Sequence, residues 1–166
     1  MRTIVSDATA LIVLARMGKL NLLHIVFDQV LVPTNVMAEV RSKPDHDDAV
    51  WNQQWLIPAD GKATDKAAGT NGGRYQELCR VLDPGESEAI ALAVKESLPL
   101  LIDERKGRAF AVRLGVPVIG LLGLLAAVVR AGFLSAEAAA ELDLQARKEG
   151  FRVSEPLYRQ FMGSLQ

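Results

Sequence analysis

The stretches of this chain that can form strands are short, continuous apolar runs, and this limits the fold more than any other feature. Thr3-Ile4-Val5, Gln29-Val30-Leu31-Val32, Pro99-Leu100-Leu101-Ile102 and Val116-Pro117-Val118-Ile119 show no sustained alternation of polar and apolar residues. A strand with one face in water alternates, whereas a strand covered on both faces does not. Segments with helical spacing lie between the runs, such as Leu11, Leu14 and Ala15 after the first and Ala89, Ile90 and Ala93 before the third. The pattern predicts a three-layer α/β/α sandwich with a central parallel sheet. With 166 residues, 49% of them hydrophobic, the chain suits a single domain, 1–166, with a core of ordinary size.

Local signals set the expected boundaries. Ser6 and Asp7 are placed to cap a helix over about 8–17, which Gly18 ends. A short helix follows over 20–27. Thr34 is expected to cap a helix reaching about Ser42, and Val50, Trp51 and Trp55 are expected in another. Leu56-Ile57-Pro58 reads as an edge strand. Residues 61–73 lack bulky apolar side chains and read as a mobile loop before a helix over 74–82. Asp83-Pro84-Gly85-Glu86 is a helix start, with Asp83 at the N-cap, Pro84 at the first helical position and Glu86 as the third residue of a capping box. Further helices are expected over 106–114, to about 131, and over 135–148. A last one follows Ser154, and its Leu157, Tyr158, Phe161 and Met162 pack on the domain or on a second copy.

The balance of 19 basic and 20 acidic residues gives a net charge of −1, which argues against coating nucleic acid by bulk charge but allows a local basic rim. The single cysteine, Cys79, rules out a disulfide within the chain and a cysteine-based zinc site, and is expected to be buried. His24 and His46 lack ligand spacing; the first is expected to be packed or half exposed, the second solvated. The apolar stretch Leu114 to Val129 is shorter than a membrane span of roughly 20 residues and contains Pro117. No signal peptide is recognisable in the first residues, so the expectation is a cytoplasmic protein with no membrane partner.

Four acids stand where strands end or helices begin: Asp7, Glu39, Glu86 and Asp103. In an open parallel sheet, groups just beyond the carboxyl ends of strands converge on one crevice. Carboxylates gathered there repel one another unless a cation binds, and an all-oxygen set suits Mg²⁺ or Mn²⁺. Each acid also has a structural reading. Asp7 could cap its helix, Glu86 could close the capping box, Glu39 could be solvated, and Asp103 could cap a helix or pair with Arg105 or Arg108. Those two arginines, three apart on one helix face, could instead contact phosphate. Glu88, two residues from Glu86, should point to the other side of its helix. A doubly wound phosphate-binding or receiver-type domain also carries acids at strand ends, but the chain lacks a Gly-Lys-Ser/Thr phosphate loop.

Five segments carry a resemblance. Ser6-Asp7-Ala8-Thr9-Ala10-Leu11-Ile12 resembles the opening motif of PIN-like nuclease domains, and Pro33 to Val40 their second motif, Pro-x-x-Val-x-x-Glu-Val. Leu82 to Ala93 resembles the third, Leu101 to Arg108 the fourth, and Val118 to Leu125 its sequel. The similarity runs from Arg2 to about Phe151, and is strongest to a prokaryotic PIN-like subfamily of unknown function related to VapC-type toxin ribonucleases. It implies Asp7, Glu39, Glu86 and Asp103 as metal-binding, catalytic acids, with Glu104 an alternative to Asp103. Ser6, Arg105 and Arg108 are then candidates for binding substrate. Ala10 stands where this subfamily often has proline, and Glu86 where PIN nucleases commonly have aspartate.

The resemblance implies a metal-dependent (Mg²⁺ or Mn²⁺) ribonuclease acting on RNA phosphodiesters, with one or two ions activating water and stabilising the leaving oxygen. It also implies a role as the toxin of a toxin–antitoxin module, held by an antitoxin protein, and a homodimer. The alternative is a PIN-like module that binds nucleic acid or protein with weak or no turnover.

Overall fold

The computed structural model describes residues 1–62 and 73–166. The strands are β1 (Thr3–Ser6), β2 (Gln29–Pro33), β3 (Leu56–Ala59), β4 (Leu100–Leu101) and β5 (Val118–Ile119). The helices are α1 (Ala8–Arg16), α2 (Leu22–Val26), α3 (Thr34–Arg41), α4 (Asp48–Trp51), α5 (Arg74–Leu78), α6 (Pro84–Glu96), α7 (Arg105–Arg113), α8 (Leu121–Arg130), α9 (Ala136–Lys148) and α10 (Glu155–Ser164). All strand pairs are parallel, in the order β3-β2-β1-β4-β5.

This order places a crevice at the ends of β1 and β4. The chain begins in the middle of the sheet, builds outward through β2 and β3, then crosses back to lay β4 on the other side of β1. Val5 pairs with both Leu31 and Leu100, and Ser6 with Leu101. Connections diverge where the build direction reverses, so the carboxyl ends of β1 and β4 stay open. Ile102 still donates to the Ile119 carbonyl, at 2.9 Å, before the chain leaves the sheet at Asp103.

Helices cover the sheet in two groups, giving the three layers expected. In one, α6 packs on β1, β2 and β4 and against α3 and α5. In the other, α8 packs against α2, α9 and α10. From Gly85 to Ala93 every residue of α6 is buried. Small residues at Gly85, Ser87, Ala89, Ala91 and Ala93 let neighbouring backbones approach it from all sides. Ile4, Leu11, Leu14, Ile90, Leu100, Leu101, Leu121, Leu124 and Leu125 are fully buried, each worth roughly 1.5–3 kcal/mol of burial.

Several local expectations are corrected. Thr34 is the first residue of α3 and not its cap, because its hydroxyl donates to Glu88 across the interface with α6. Trp55 lies in the turn before β3, where its ring stacks on exposed His24 at 5.2 Å. His46 is not solvated; it is packed over Trp51 and bonded to Asp48 at 2.8 Å. Cys79 is exposed: α5 ends at Leu78, whose side chain takes the inward direction and leaves Cys79 at the C-cap. The apolar tail packs on its own domain through buried Phe161, while Leu157 stays exposed. The loop expected over 61–73 has its central residues, 63–72, outside the described ones; Gly61 is buried and bonded to Glu88. Among the described residues, no helix is long and apolar enough to cross a membrane.

Leu124→Ala should lower the unfolding free energy by about 2–5 kcal/mol in a urea titration, whereas Leu144→Ala, at a side chain 56% exposed, should change it by less than about 1 kcal/mol.

Candidate functional site

Asp7 sits at the end of β1, where its backbone N–H donates to the Leu101 carbonyl at 2.9 Å and ties it to the end of β4. It occupies the N-cap position of α1, yet its side chain makes no cap hydrogen bond. Helix capping therefore does not account for it. The residue is 5% exposed. Burial, above all, pushes its carboxyl up to about 7; the Ala8 N–H opposes this, and the charges of Asp83, Glu39 and Asp103 add to it. Ser6, beside it, is fully buried and its hydroxyl donates to the Asp7 carbonyl at 2.9 Å. Ser6 thus offers no surface to a substrate and instead fixes the backbone that carries Asp7.

The start of α6 supplies two acids. Asp83 caps the helix by accepting the Glu86 N–H at 2.8 Å. Glu86 is buried, and its carboxyl is pushed up to about 8, first by burial and then by Asp83, Asp7 and Glu104. Glu104, at the start of α7, accepts the Gly107 N–H at 2.7 Å. Burial alone would raise the Glu104 carboxyl, but the Gly107 and Lys106 N–H groups, a hydrogen bond with Glu86 and the Lys106 charge bring it below the usual value. A protonated Glu86 donating to an ionised Glu104 accounts for both shifts. Gly107 lies between this pair and the core: a methyl group there would come within 2.7 Å of Ile102 Cδ1 while only touching Glu86 Oε1 at 3.5 Å and Glu104 Oε2 at 3.6 Å.

Glu39 projects from α3 toward the same rim. Its carboxyl is raised by burial and by Asp83, and Lys43 opposes the shift. Gly85 lies against both acids, since a methyl group there would stand 3.3 Å from Glu39 Oε2 and 3.5 Å from Asp83 Oδ1.

Asp103, after β4, accepts the N–H of Leu121 with its two oxygens at 3.0 and 3.2 Å, and so sits on the N-terminus of α8. Burial pushes its carboxyl up to about 6, against the Leu121 N–H and the Arg108 charge. A methyl group on Gly120 would come within 2.5 Å of Asp103 Oδ1, so this position requires glycine. Arg108 donates to the Ile102 carbonyl at 2.8 Å. Arg105 is exposed on the same helix.

The fold thus brings Asp7, Glu39, Glu86 and Asp103 to one edge of the sheet, with Asp7 in the middle. Among the described residues, no three acidic, histidine or cysteine side chains gather closely enough to hold an ion as placed. The donor set still fits a hard divalent cation. It is made of carboxylate oxygens, and all four members are pushed up in pKa by burial, with repulsion from neighbouring carboxylates adding to it at Asp7, Glu39 and Glu86. Asp83 and Glu104 belong to the same electrostatic unit. Asp83, read from the sequence only as a cap, was legible through its place in Asp83-Pro84-Gly85-Glu86.

Glu88 points away from this cluster, as its spacing implies, but it is fully buried. It accepts from the Thr34 N–H and hydroxyl at 3.1 and 2.8 Å, the Asn35 N–H at 2.6 Å and the Gly61 N–H at 3.1 Å. One carboxylate so joins α6 to the start of α3 and the exit of β3. The sequence signal was its setting among Ser87, Ala89, Ile90 and Ala91, which leaves α6 no polar face.

The family model for DUF3368, described as a PIN domain, matches residues 3–166. The chain belongs to the PIN-domain family. A PIN domain has a nuclease-type fold. No curated protein sequence matches the chain.

Glu88→Gln should cost about 1–3 kcal/mol or more in chemical denaturation, because an amide nitrogen would face donors that need an acceptor. The raised carboxyls also set a pH dependence. Asp7, Glu86 and Asp103 are pushed up to about 7, 8 and 6 in the folded chain, from ordinary values of 3.8, 4.5 and 3.8. The unfolded chain therefore binds fewer protons between these limits, and stability falls as pH rises from about 5 to 8. Thermal melts in EDTA should show a lower midpoint at pH 8 than at pH 5.5, and Asp7→Asn should shrink the difference.

Proposed function

We propose that this PIN domain is a divalent-metal-dependent ribonuclease with Asp7, Glu39, Glu86 and Asp103 as the residues that hold Mg²⁺ or Mn²⁺. The observation that carries this is Asp7. It is a buried carboxylate that caps no helix, pushed up to about 7, and set where acids from α3, α6 and the end of β4 converge. A fold needs no such group for stability.

The cation would supply charge neutralisation at the scissile phosphate and a water activated at neutral pH. The chain's own residues do the rest. The Ser6 hydroxyl holds the Asp7 carbonyl, and the Leu121 N–H orients Asp103. Glu86, whose carboxyl burial and its acidic neighbours push up to about 8, stands beside Glu104 and would give up its proton on ligating a cation. Arg108, anchored through the Ile102 carbonyl, and exposed Arg105 stand beside Asp103 with donors for phosphate oxygens. Within this reading the chain serves as the toxin of a toxin–antitoxin module, with an antitoxin segment covering the acids. Co-purification with the product of a small neighbouring gene tests that.

One observation favours the rival reading, a binding module without turnover. As placed, no three of the described acids lie close enough to hold one ion. Cleavage of single-stranded RNA decides between them. Wild type should cleave in Mn²⁺ and stop in EDTA, and Asp7→Asn should lose about 10²–10³-fold in kcat, the loss expected for several kcal/mol of charge stabilisation. Mn²⁺ should also raise the melting midpoint at pH 8 in wild type and not in Asp7→Asn. Cleavage that persists unchanged in Asp7→Asn would end the proposal.

A further inference from the structure

Beside the acids, on the outer side of Asp103, lies a groove of about 320 Å³ that the chemistry above does not use. Its floor is edge strand β5 with Gly120. One wall is α8, through Leu122 and Ala126, and the other is α10, through Leu157 and Phe161. The volume lies at the lower end of the range for small-molecule sites, about 300–1,000 Å³.

Four features identify its occupant. First, Asp103 and Arg108 both line the groove, so whatever fills it continues into the acidic site. Second, Arg130 lines it as well; Arg130 is exposed, and among the described residues it has no carboxylate in salt-bridge range. In a chain of net charge −1, two guanidinium groups on one small groove are a local excess suited to phosphate. Third, Leu157 is 39% exposed on the wall, which leaves apolar surface for the flat face of a base. Fourth, polar groups stand within reach of a base edge. Gln160 lines the groove, and β5, as the outermost strand on its side, has one backbone edge without a strand partner among the described residues.

We infer that the groove between α8 and α10 is a nucleotide subsite: it takes one base of the RNA strand between Leu122 and Leu157, and Arg108 and Arg130 take the flanking phosphates. The inference rests on the ribonuclease reading and adds to it the source of base preference. The enzyme then reads one nucleotide next to the bond it cuts, through Gln160 and the β5 backbone, while the acids treat all phosphates alike. A neutral apolar helix from a partner would leave Arg130 without a counter-charge, which is why the mixed lining favours a nucleotide.

Binding of the four nucleoside 5′-monophosphates is measured by NMR titration of the full chain in EDTA, where the proposed reaction cannot run. At least one should bind saturably at millimolar concentration, with shifts confined to β5, α8, α10 and the turn of α7 that carries Arg108. Leu157→Trp, which fills the groove, and Arg130→Glu, which reverses a surface charge, should each weaken binding by about tenfold, the scale of one charge-assisted contact. Gln160→Ala should change the order of preference among the four bases. The inference is overturned if no nucleotide binds, or if neither Leu157→Trp nor Arg130→Glu weakens binding. Light scattering showing a dimer that Leu157→Trp converts to a monomer also overturns it, by assigning the groove to a second copy. Because binding is read without metal, absence of RNA cleavage leaves this result standing, and cleavage without nucleotide binding removes the subsite alone.

Discussion

Negative charge held out of water at the carboxyl ends of β1 and β4 is the constraint on which the rest of the molecule turns. Burying a carboxylate is costly unless a donor or a cation answers it. The chain answers two of these acids internally. Asp103 lies on the first N–H of α8, where the helix dipole favours it, and Glu86 stands beside Glu104, whose carboxyl is held below its usual value. Asp7 has only the Ala8 N–H to oppose its rise, and it feels Asp83, Glu39 and Asp103 at once. The fold around it is rigid: Ile4, Val5, Leu100 and Leu101 are fully buried on the two strands that present it. The tension cannot relax by moving the backbone, so it falls on the protonation state of the acids.

Three glycines set how closely these acids are approached. Gly85 packs against Glu39 and Asp83, Gly107 against Glu86 and Glu104, and Gly120 against Asp103. Only Gly120 leaves no space at all for a side chain next to its acid. At Gly85 a larger residue would crowd Glu39 first, and at Gly107 it would strike the buried Ile102 side chain at the end of β4 before it reached the acids. The rim is therefore shaped as much by missing side chains as by the acids themselves.

Much of this was legible in the sequence, for identifiable reasons. Doubly covered strands announce themselves as unbroken apolar runs, and Asp83-Pro84 marks the start of α6 because proline lacks the N–H that a first helical position cannot use. The convergence of Asp7 and Asp103 followed from their places after β1 and β4. What the sequence could not carry was tertiary competition. Thr34 has the chemistry of a cap, but Glu88, 54 positions away, claims its hydroxyl. Cys79 falls on the outer side because α5 stops one residue earlier. Asp83 needed Gly85 and the α3 rim beside it before a capping residue became part of an electrostatic cluster. The groove under α10 could not be seen at all, since it depends on where the last helix lies over α8.

Glu88 has a mechanical consequence. The helix that presents Asp83 and Glu86 on one side grips, through this one side chain, the first turn of α3 and the exit of β3 on the other. Tilting α6 would drag Glu39 along with it, so acids from two separate helices travel as one jaw against Asp7 and Asp103. Adjustment among the acids is then left to side-chain torsions, which swing in nanoseconds or less when unhindered, and not to slow sliding of helices.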